Sequence, residues 1–274
     1  MILEVRNLTK KFGDFNAVDN LSFTLKKGEI VGFIGKNGAG KSTTIKAILN
    51  FIKPTNGKIF VHGLDSQKDN KKIKENTSYM SSDVAFYQTI SAKQLFMFIH
   101  QITGVILDDM LELSKYFELD IDKKISDLSL GNRKKVGIIQ TLIQNHDLLI
   151  FDEPTNGLDP LMQEKFFTLI LKKKSEGKTI FLSSHNLSEL EKYCDRAIII
   201  KNGRIIDDID LSTTKLKKGV IVSYTLLNGE SIEYDYEGDI NDLIGELSKM
   251  KLESLIIKNK SIEDSFIEYY QEDK

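Results

Sequence analysis

Apolar Leu21, Phe23 and Leu25 alternate with polar Ser22, Thr24 and Lys26, the period-two pattern of a strand with one buried face. The same reading predicts strands over 2–8, 17–25, 30–34 and 58–62, with turns at Lys27-Gly28 and Pro54-Thr55-Asn56-Gly57. From about residue 72 to 145 the spacing becomes helical: Leu95, Phe98, Ile99 and Ile102 form one set, and Met110, Leu113 and Phe117 another. A third helix carries Val136, Ile139, Leu142 and Ile143 on its apolar face. The apolar run Leu148-Leu149-Ile150-Phe151 reads as a buried parallel strand, and Thr179-Ile180-Phe181-Leu182-Ser183 as a further buried strand. Residues 197–200 and 204–206 flank Asn202-Gly203 as a hairpin.

This pattern predicts an α/β fold: a mixed sheet with flanking helices, an antiparallel β portion, and a helical subdomain inserted over about 72–145, together spanning 1–211. The Thr- and Lys-rich stretch 211–219 reads as a linker. Residues 212–274 form a small α+β appendage, with strands near 220–222, 231–234 and 254–257 and helices near 239–249 and 261–270. No chemistry is evident in that appendage.

At 274 residues the chain accommodates one large domain and an appendage. Its net charge of −2 gives no reason to expect a nucleic-acid partner. The charge is uneven, with 30 Lys/Arg against 24 Asp/Glu in residues 1–206 and 8 against 16 in 207–274. One cysteine, Cys194, excludes an internal disulfide and fits a reducing compartment. No secretory signal is read at Met1-Ile2-Leu3-Glu4-Val5-Arg6, and no apolar run reaches the ~18 residues of a membrane span. The expected place is the cytoplasm, with any membrane role exerted through a partner.

The chemistry concentrates after the strand 30–34. Gly35, Lys36, Asn37, Gly38, Ala39, Gly40, Lys41 and Ser42 form a glycine-rich loop that opens into a helix. Glycines let backbone N–H groups converge on phosphate oxygens, and a helix start adds its unpaired N–H groups. Lys41 supplies a cation for the terminal phosphates and Ser42 a hydroxyl for Mg²⁺. This is a phosphate loop, and the core is expected to be of the P-loop NTPase type. Asp152 and Glu153 end a buried strand, where Asp152 can hold Mg²⁺ through water and Glu153 can orient or deprotonate an attacking water. His185 follows another strand end and suits a contact to the terminal phosphate, the water or Glu153. His62, His100 and His146 have no such placement. Phe12, ahead of the loop, offers a flat face to a base. In Leu128-Ser129-Leu130-Gly131-Asn132, Ser129 reads by itself as a helix N-cap, and Pro160 suits the first turn of a helix after Gly157-Leu158-Asp159.

In order and spacing, these segments resemble the nucleotide-binding subunit of an ATP-binding cassette (ABC) transporter over roughly residues 1–206, most closely the cassettes of bacterial antibiotic, bacteriocin and lipid exporters. The resemblance implies an ATPase in which two copies, identical or not, clamp shared ATP. Phe12 would stack on adenine, Gly38, Gly40, Lys41, Ser42 and Thr43 would hold phosphates and Mg²⁺, and Asp152 would stand on the metal side. Glu153 would be the catalytic carboxylate and His185 the switch histidine. Ser129 and Gly131 would reach the nucleotide of the second copy, and Asp159 would join the contact between copies. It also implies a separate membrane-spanning subunit, bound through the helical insertion around 83–117, and a place on the cytoplasmic face of the membrane.

Three positions depart from the family. Ser82 stands where a glutamine usually reaches Mg²⁺ and the water, and Leu130 and Asn132 replace a glycine and a glutamine. Besides an exporter ATPase, a poorly hydrolysing ATP-gated regulatory or immunity scaffold fits the sequence, and less well a soluble ATPase of translation or repair.

Overall fold

The structure, a computed structural model, describes residues 1–83, 89–211 and 219–259. In the first strand, β1 (Leu3–Phe12), the buried residues are Leu3, Val5, Leu8 and Thr9. The alternation slips at Asn7, whose φ of 48° is left-handed, and the ladder resumes beyond it. The strand therefore runs past residue 8, where the simple pattern stops, and brings Phe12 opposite Phe15 of β2 (Phe15–Leu25). With β4 (Asn56–Val61) and β5 (Leu64–Asp65) they form an antiparallel sheet in the order β2-β1-β4-β5.

A second sheet contains β3 (Ile30–Ile34), β6 (Thr77–Met80), β7 (Leu148–Asp152), β8 (Thr179–Ser184), β9 (Arg196–Lys201) and β10 (Arg204–Asp210), in the order β10-β9-β3-β8-β7-β6. β3 pairs in parallel with β8 and β9, and β7 in parallel with β8 and β6. Every residue of β3, β7 and β8 is buried, as the unbroken apolar runs predict. The two sheets meet through Phe23 of β2, Phe33 of β3 and Phe181 of β8, whose ring centroids lie 5.4–5.9 Å apart. On the register, Ile34 faces Ser184 and Asp152 faces Ser183. Three carboxyl ends thus line up along one edge, the position at which open α/β sheets place ligands.

β6 is a correction, because the stretch from residue 72 onward reads as helical. Thr77-Ser78-Tyr79-Met80 has no apolar run to mark a strand, and pairing with β7 makes it one. The short α2 (Asn70–Lys74) precedes it. The helices beyond are α3 (Ala92–Thr103), α4 (Leu107–Tyr116) and α5 (Leu130–Leu142). α3 starts at a capping box of Ser91 and Gln94 and stops at left-handed Gly104. Its buried face is Ala92, Leu95, Phe96 and Ile99, whereas Phe98 and Ile102 are 51% and 66% exposed. The apolar set is therefore rotated from the expected one, since Phe96 takes the core position and leaves Phe98 outside.

Helices α1 (Lys41–Ile48), α6 (Pro160–Ser175) and α7 (Leu187–Tyr193) follow β3, β7 and β8 respectively. Cys194, buried, caps α7. The turn Asn202-Gly203 between β9 and β10 has φ values of 48° and 76°, as a two-residue hairpin requires. The Gly203 N–H donates to Ala39 O at 2.9 Å and its carbonyl accepts from Asp19 N–H at 2.8 Å. The hairpin tip thereby ties the loop after β3 to β2.

The chain divides into two compact units, Met1–Ile209 and Asp210–Lys274. In the second, β11 (Val220–Leu226), β12 (Ser231–Tyr236) and β13 (Leu252–Asn259) make an antiparallel sheet in the order β12-β11-β13. The helix Ile240–Leu247 sets Leu243 and Leu247 against Val220, Val222 and Ile257. The expected helix near 261–270 and most of the expected linker lie outside the described residues.

Candidate functional site

The chain leaves β3 at Gly35, turns through Lys36, Asn37, Gly38 and Ala39, and enters α1 after Gly40. Gly38 and Gly40 have φ of +84° and +109°, values that side chains resist. A Cβ on Gly38 would meet nothing within 4 Å, so its surroundings stay open, whereas one on Gly40 would lie 2.6 Å from Ala17 O. The loop is therefore held from below by β2 and open above.

Lys41 curls back under this loop, donating to Gly35 O at 2.6 Å and Lys36 O at 3.3 Å, and pairs with Glu153 Oε1 at 3.1 Å. A cavity of about 300 Å³ lies over the loop, lined by Gly38, Lys41, Ser42, Thr43 and Glu153, with Phe12 and Phe15 at its rim. These rings are 52% and 66% exposed. Lys10 Nζ stands 4.9 Å from the Phe12 ring centroid, so one face of that ring already attracts a cation.

Asp152 is wholly buried at the end of β7. Ser183 Oγ donates to its Oδ1 at 2.6 Å and accepts from Glu153 N–H at 3.0 Å, while Oδ2 is buried without a hydrogen-bond partner. An orphaned carboxylate oxygen is costly unless something polar meets it. Together with the Ser42 hydroxyl, it offers the hard oxygen donors that suit Mg²⁺, an ion that keeps several waters and few protein ligands. No cluster of three or more His, Cys, Asp or Glu able to hold a metal occurs among the described residues.

Glu153 is the most tightly held residue of the site. Its φ of 49° is left-handed, an uncommon state for a side chain with a Cβ. Ser183 holds its N–H, Lys134 Nζ donates to its carbonyl at 2.8 Å, Lys41 pairs with Oε1, and His185 Nδ1 lies 3.0 Å from Oε2. An ionised carboxylate only accepts, so His185 carries its proton on Nδ1 when Glu153 is charged. The other histidines bond elsewhere: His62 to Asn76 O, His100 to Val105 O and His146 to Ser78 Oγ.

Ser129 is the N-cap of α5, accepting from Asn132 N–H at 3.3 Å, and Asp159 is the N-cap of α6, accepting from Met162 N–H at 3.0 Å. Neither hydrogen-bonds to Lys41, Glu153 or His185 among the described residues. Gly131 has a packing role: a Cβ there would lie 2.7 Å from Gly157 O. Ser82 is half-buried in a bend just after β6.

Four contributors escape a reading of the sequence. Lys134, on α5, is only 2% exposed. Burial pushes its ammonium below the usual lysine range, against the pull of Asp152, Glu153 and Asp83. Ser183 ends an apolar run without marking itself as a partner of Asp152. Phe15 is readable only once β1 is known to extend to Phe12. Glu189, finally, accepts from Thr155 Oγ1 at 2.9 Å beside His185, in a cavity of about 140 Å³. Burial raises its carboxyl above the ordinary range, opposed by Thr155, His185 and Asn186.

Residues 18–156 match the family described as ABC transporter. The chain is 32% identical to the bacitracin transport ATP-binding protein BcrA of Bacillus licheniformis, over 98% of this chain and 96% of that one. It is 36% identical to the lantibiotic transport ATP-binding protein SrtF of Streptococcus pyogenes, over 75% and 89%. Its fold matches a solved ATP-binding subunit of an ABC transporter with a TM-score of 0.72 and 26% identity, over 90% and 100%. It also matches a dimeric ATP-binding cassette in a post-hydrolysis state with ADP and Pi, at a TM-score of 0.68 and 25% identity, over 76% and 98%.

Proposed function

This chain belongs to the ABC transporter family as an ATP-binding, ATP-hydrolysing subunit, and from that premise we propose that it drives export through a separate membrane-spanning subunit by ATP-dependent pairing of two nucleotide-binding subunits. The relatives named for bacitracin and lantibiotic transport support that direction. No helix among the described residues is long and apolar enough to cross a membrane, so the pathway falls to the partner, which would hold this subunit at the cytoplasmic face.

The observation that carries the hydrolytic reading is the placement of Glu153 between Lys41 at 3.1 Å and His185 at 3.0 Å. The terminal phosphate is a stronger attractor for Lys41 than a single carboxylate, and its arrival releases Oε1 to accept a proton from the attacking water. His185 keeps the carboxylate aimed. Phe12 stacks on the base, and the N–H groups from Gly35 to Thr43 wrap the phosphates. Ser42 and Asp152 would hold Mg²⁺, with Ser82 reaching it through water. When bound, the ion neutralises charge on the transferring phosphoryl group. Ser129, Gly131 and Asp159 would meet the second copy.

Glu153→Gln tests this directly. Turnover should fall at least about a hundredfold, with ATP affinity retained and a dimer trapped on gel filtration. Sustained hydrolysis by this variant removes Glu153 from its role.

A further inference from the structure

Glu153 and His185 meet beyond the last rung of the sheet. The parallel ladder of β7 and β8 ends at Asp152 opposite Ser183, so the 3.0 Å contact between His185 Nδ1 and Glu153 Oε2 is made by two loops rather than by two strands. Ser183 Oγ takes the Glu153 N–H and fixes where the first loop starts. It does nothing for the second loop, where the His185 side chain is half exposed and is not held by packing.

The second loop runs straight into α7, and Glu189, in the first turn of that helix, reaches both loops. The buried Thr155 Oγ1 donates to Glu189 Oε2 at 2.9 Å, and Asn186 Nδ2 donates to Oε1 at 3.2 Å. One carboxylate thus bridges the residue two beyond Glu153 and the residue next to His185. The helix that carries it is firmly seated: Leu187 and Leu190 are buried, and a Cβ on Gly32 of β3 would lie 2.6 Å from Leu190 Cδ1. Helix capping explains part of this arrangement, since Asn186 Oδ1 accepts from Glu189 N–H at 3.4 Å. It does not explain the bond to Thr155, which lies 34 residues away on another element. Glu153, Thr155, His185 and Glu189 together line the cavity of about 140 Å³.

We propose that Glu189 is a positioning residue for hydrolysis: by bonding Thr155 and Asn186 at once, it holds the two loops at the separation at which His185 meets Glu153. This rests on the reading that Glu153 activates the attacking water. A base is oriented by a partner, and the partner needs an anchor of its own. Without the bridge, Glu153 keeps its backbone bonds to Ser183 and Lys134, but the loop carrying His185 is free to move away and the carboxylate loses its aim. The glycine loop and Lys41, which bind the phosphates on this reading, lie on other elements and are not touched by Glu189. The loss therefore falls on turnover and spares affinity.

The test compares the full-length chain with Glu189→Ala, Thr155→Val and the double variant, which remove the bridge, and with Glu189→Gln and Thr155→Ser, which keep an acceptor and a hydroxyl. ATP turnover is measured with Mg²⁺ present, ATP binding by equilibrium dialysis, and folding by thermal denaturation. Glu189→Ala and Thr155→Val should each lower kcat about tenfold or more, while the ATP Kd stays within about twofold of the parent. The double variant should be no slower than Glu189→Ala alone, because both substitutions break the same bond. Glu189→Gln and Thr155→Ser should keep most of the parent's kcat. The proposal is overturned if Glu189→Ala and Thr155→Val keep the kcat of the parent, or if their losses multiply in the double variant. It is also overturned if Glu189→Gln is as slow as Glu189→Ala, which assigns the effect to charge, or if ATP binding is lost in step with turnover, which marks Glu189 as a structural residue only. Should Glu189→Ala not fold, Thr155→Val against Thr155→Ser decides by the same criteria. A parent without ATP turnover, or Glu153→Gln with undiminished turnover, removes the catalytic reading itself and the positioning role with it.

Discussion

Lys41 and Glu153 are ion-paired at 3.1 Å, both nearly buried, beside the cavity that lies over the glycine loop. On the proposed roles, in which Lys41 binds the terminal phosphate and Glu153 activates water, the two neutralise each other until nucleotide separates them. Binding and activation would then be one event, with Lys41 exchanging Glu153 for the phosphate. Lys41→Ala should weaken ATP binding about 10–150-fold, the value of a charge-assisted hydrogen bond of ~1.5–3 kcal/mol. Titration with a fluorescent ATP analogue measures this, and an unchanged Kd would undo the assignment of the loop.

The two exposed rings at the rim of the cavity make a separable prediction. Phe12→Ala and Phe15→Ala should each weaken ATP binding by ~1–3 kcal/mol if each ring stacks on the base. Neither should alter the affinity for inorganic triphosphate, which has no base. Equal losses for both ligands would mean that the rings only support the loop.

Gly131→Ala bears on stability. Alanine gains up to ~1 kcal/mol of helix propensity, but its Cβ must displace the Gly157 carbonyl from 2.7 Å, and overpacking of this kind costs ~1–3 kcal/mol. The packing cost should win, lowering the Tm by a few degrees. A Tm equal to or above that of the parent would show that the 153–157 loop yields without cost.

Glu189 predicts a pH dependence of stability. Its carboxyl is raised above the ordinary value of 4.5 in the folded state, chiefly by burial, so folding favours the protonated form. The stabilisation is complete below the unfolded pKa and fades as pH rises through the higher folded one. Glu189→Gln imitates the protonated form. It should match the parent near pH 4 and be the more stable of the two at about pH 8. A difference in Tm that is the same at both pH values would assign the effect to packing instead.

Sequence reveals most where one local rule suffices. The β3 strand, the glycine loop and α1 are legible together because apolar run, left-handed turn and helix start are each written in consecutive residues, and with Asp152, Glu153 and His185 they disclose the family. β6 is hidden, since Thr77-Ser78-Tyr79-Met80 becomes a strand only through its neighbour β7. On α3, Phe96 and Phe98 compete for the core, and sequence spacing alone favours the wrong one. Lys134 illustrates the deeper limit. A lysine on a helix is ordinarily taken for its solvated face, and only the loop from β7 folding over it makes it the support of Glu153. The capping roles of Ser129 and Asp159 are local and readable, whereas whatever they do towards a second copy requires that copy.

The position of β3 between β8 and β9 bears on how the protein is made. The strand leading into the phosphate loop leaves the ribosome early, but both of its partners and the Asn202-Gly203 tip that ties down Ala39 are encoded some 150 residues later. At about 5–20 residues per second, β3 waits on the order of 8–30 s for its neighbours. A nascent chain therefore cannot assemble the proposed nucleotide site until almost the whole of the first unit has emerged, which would couple nucleotide capture to completed synthesis and leaves Ile30–Ile34 in need of shielding until then.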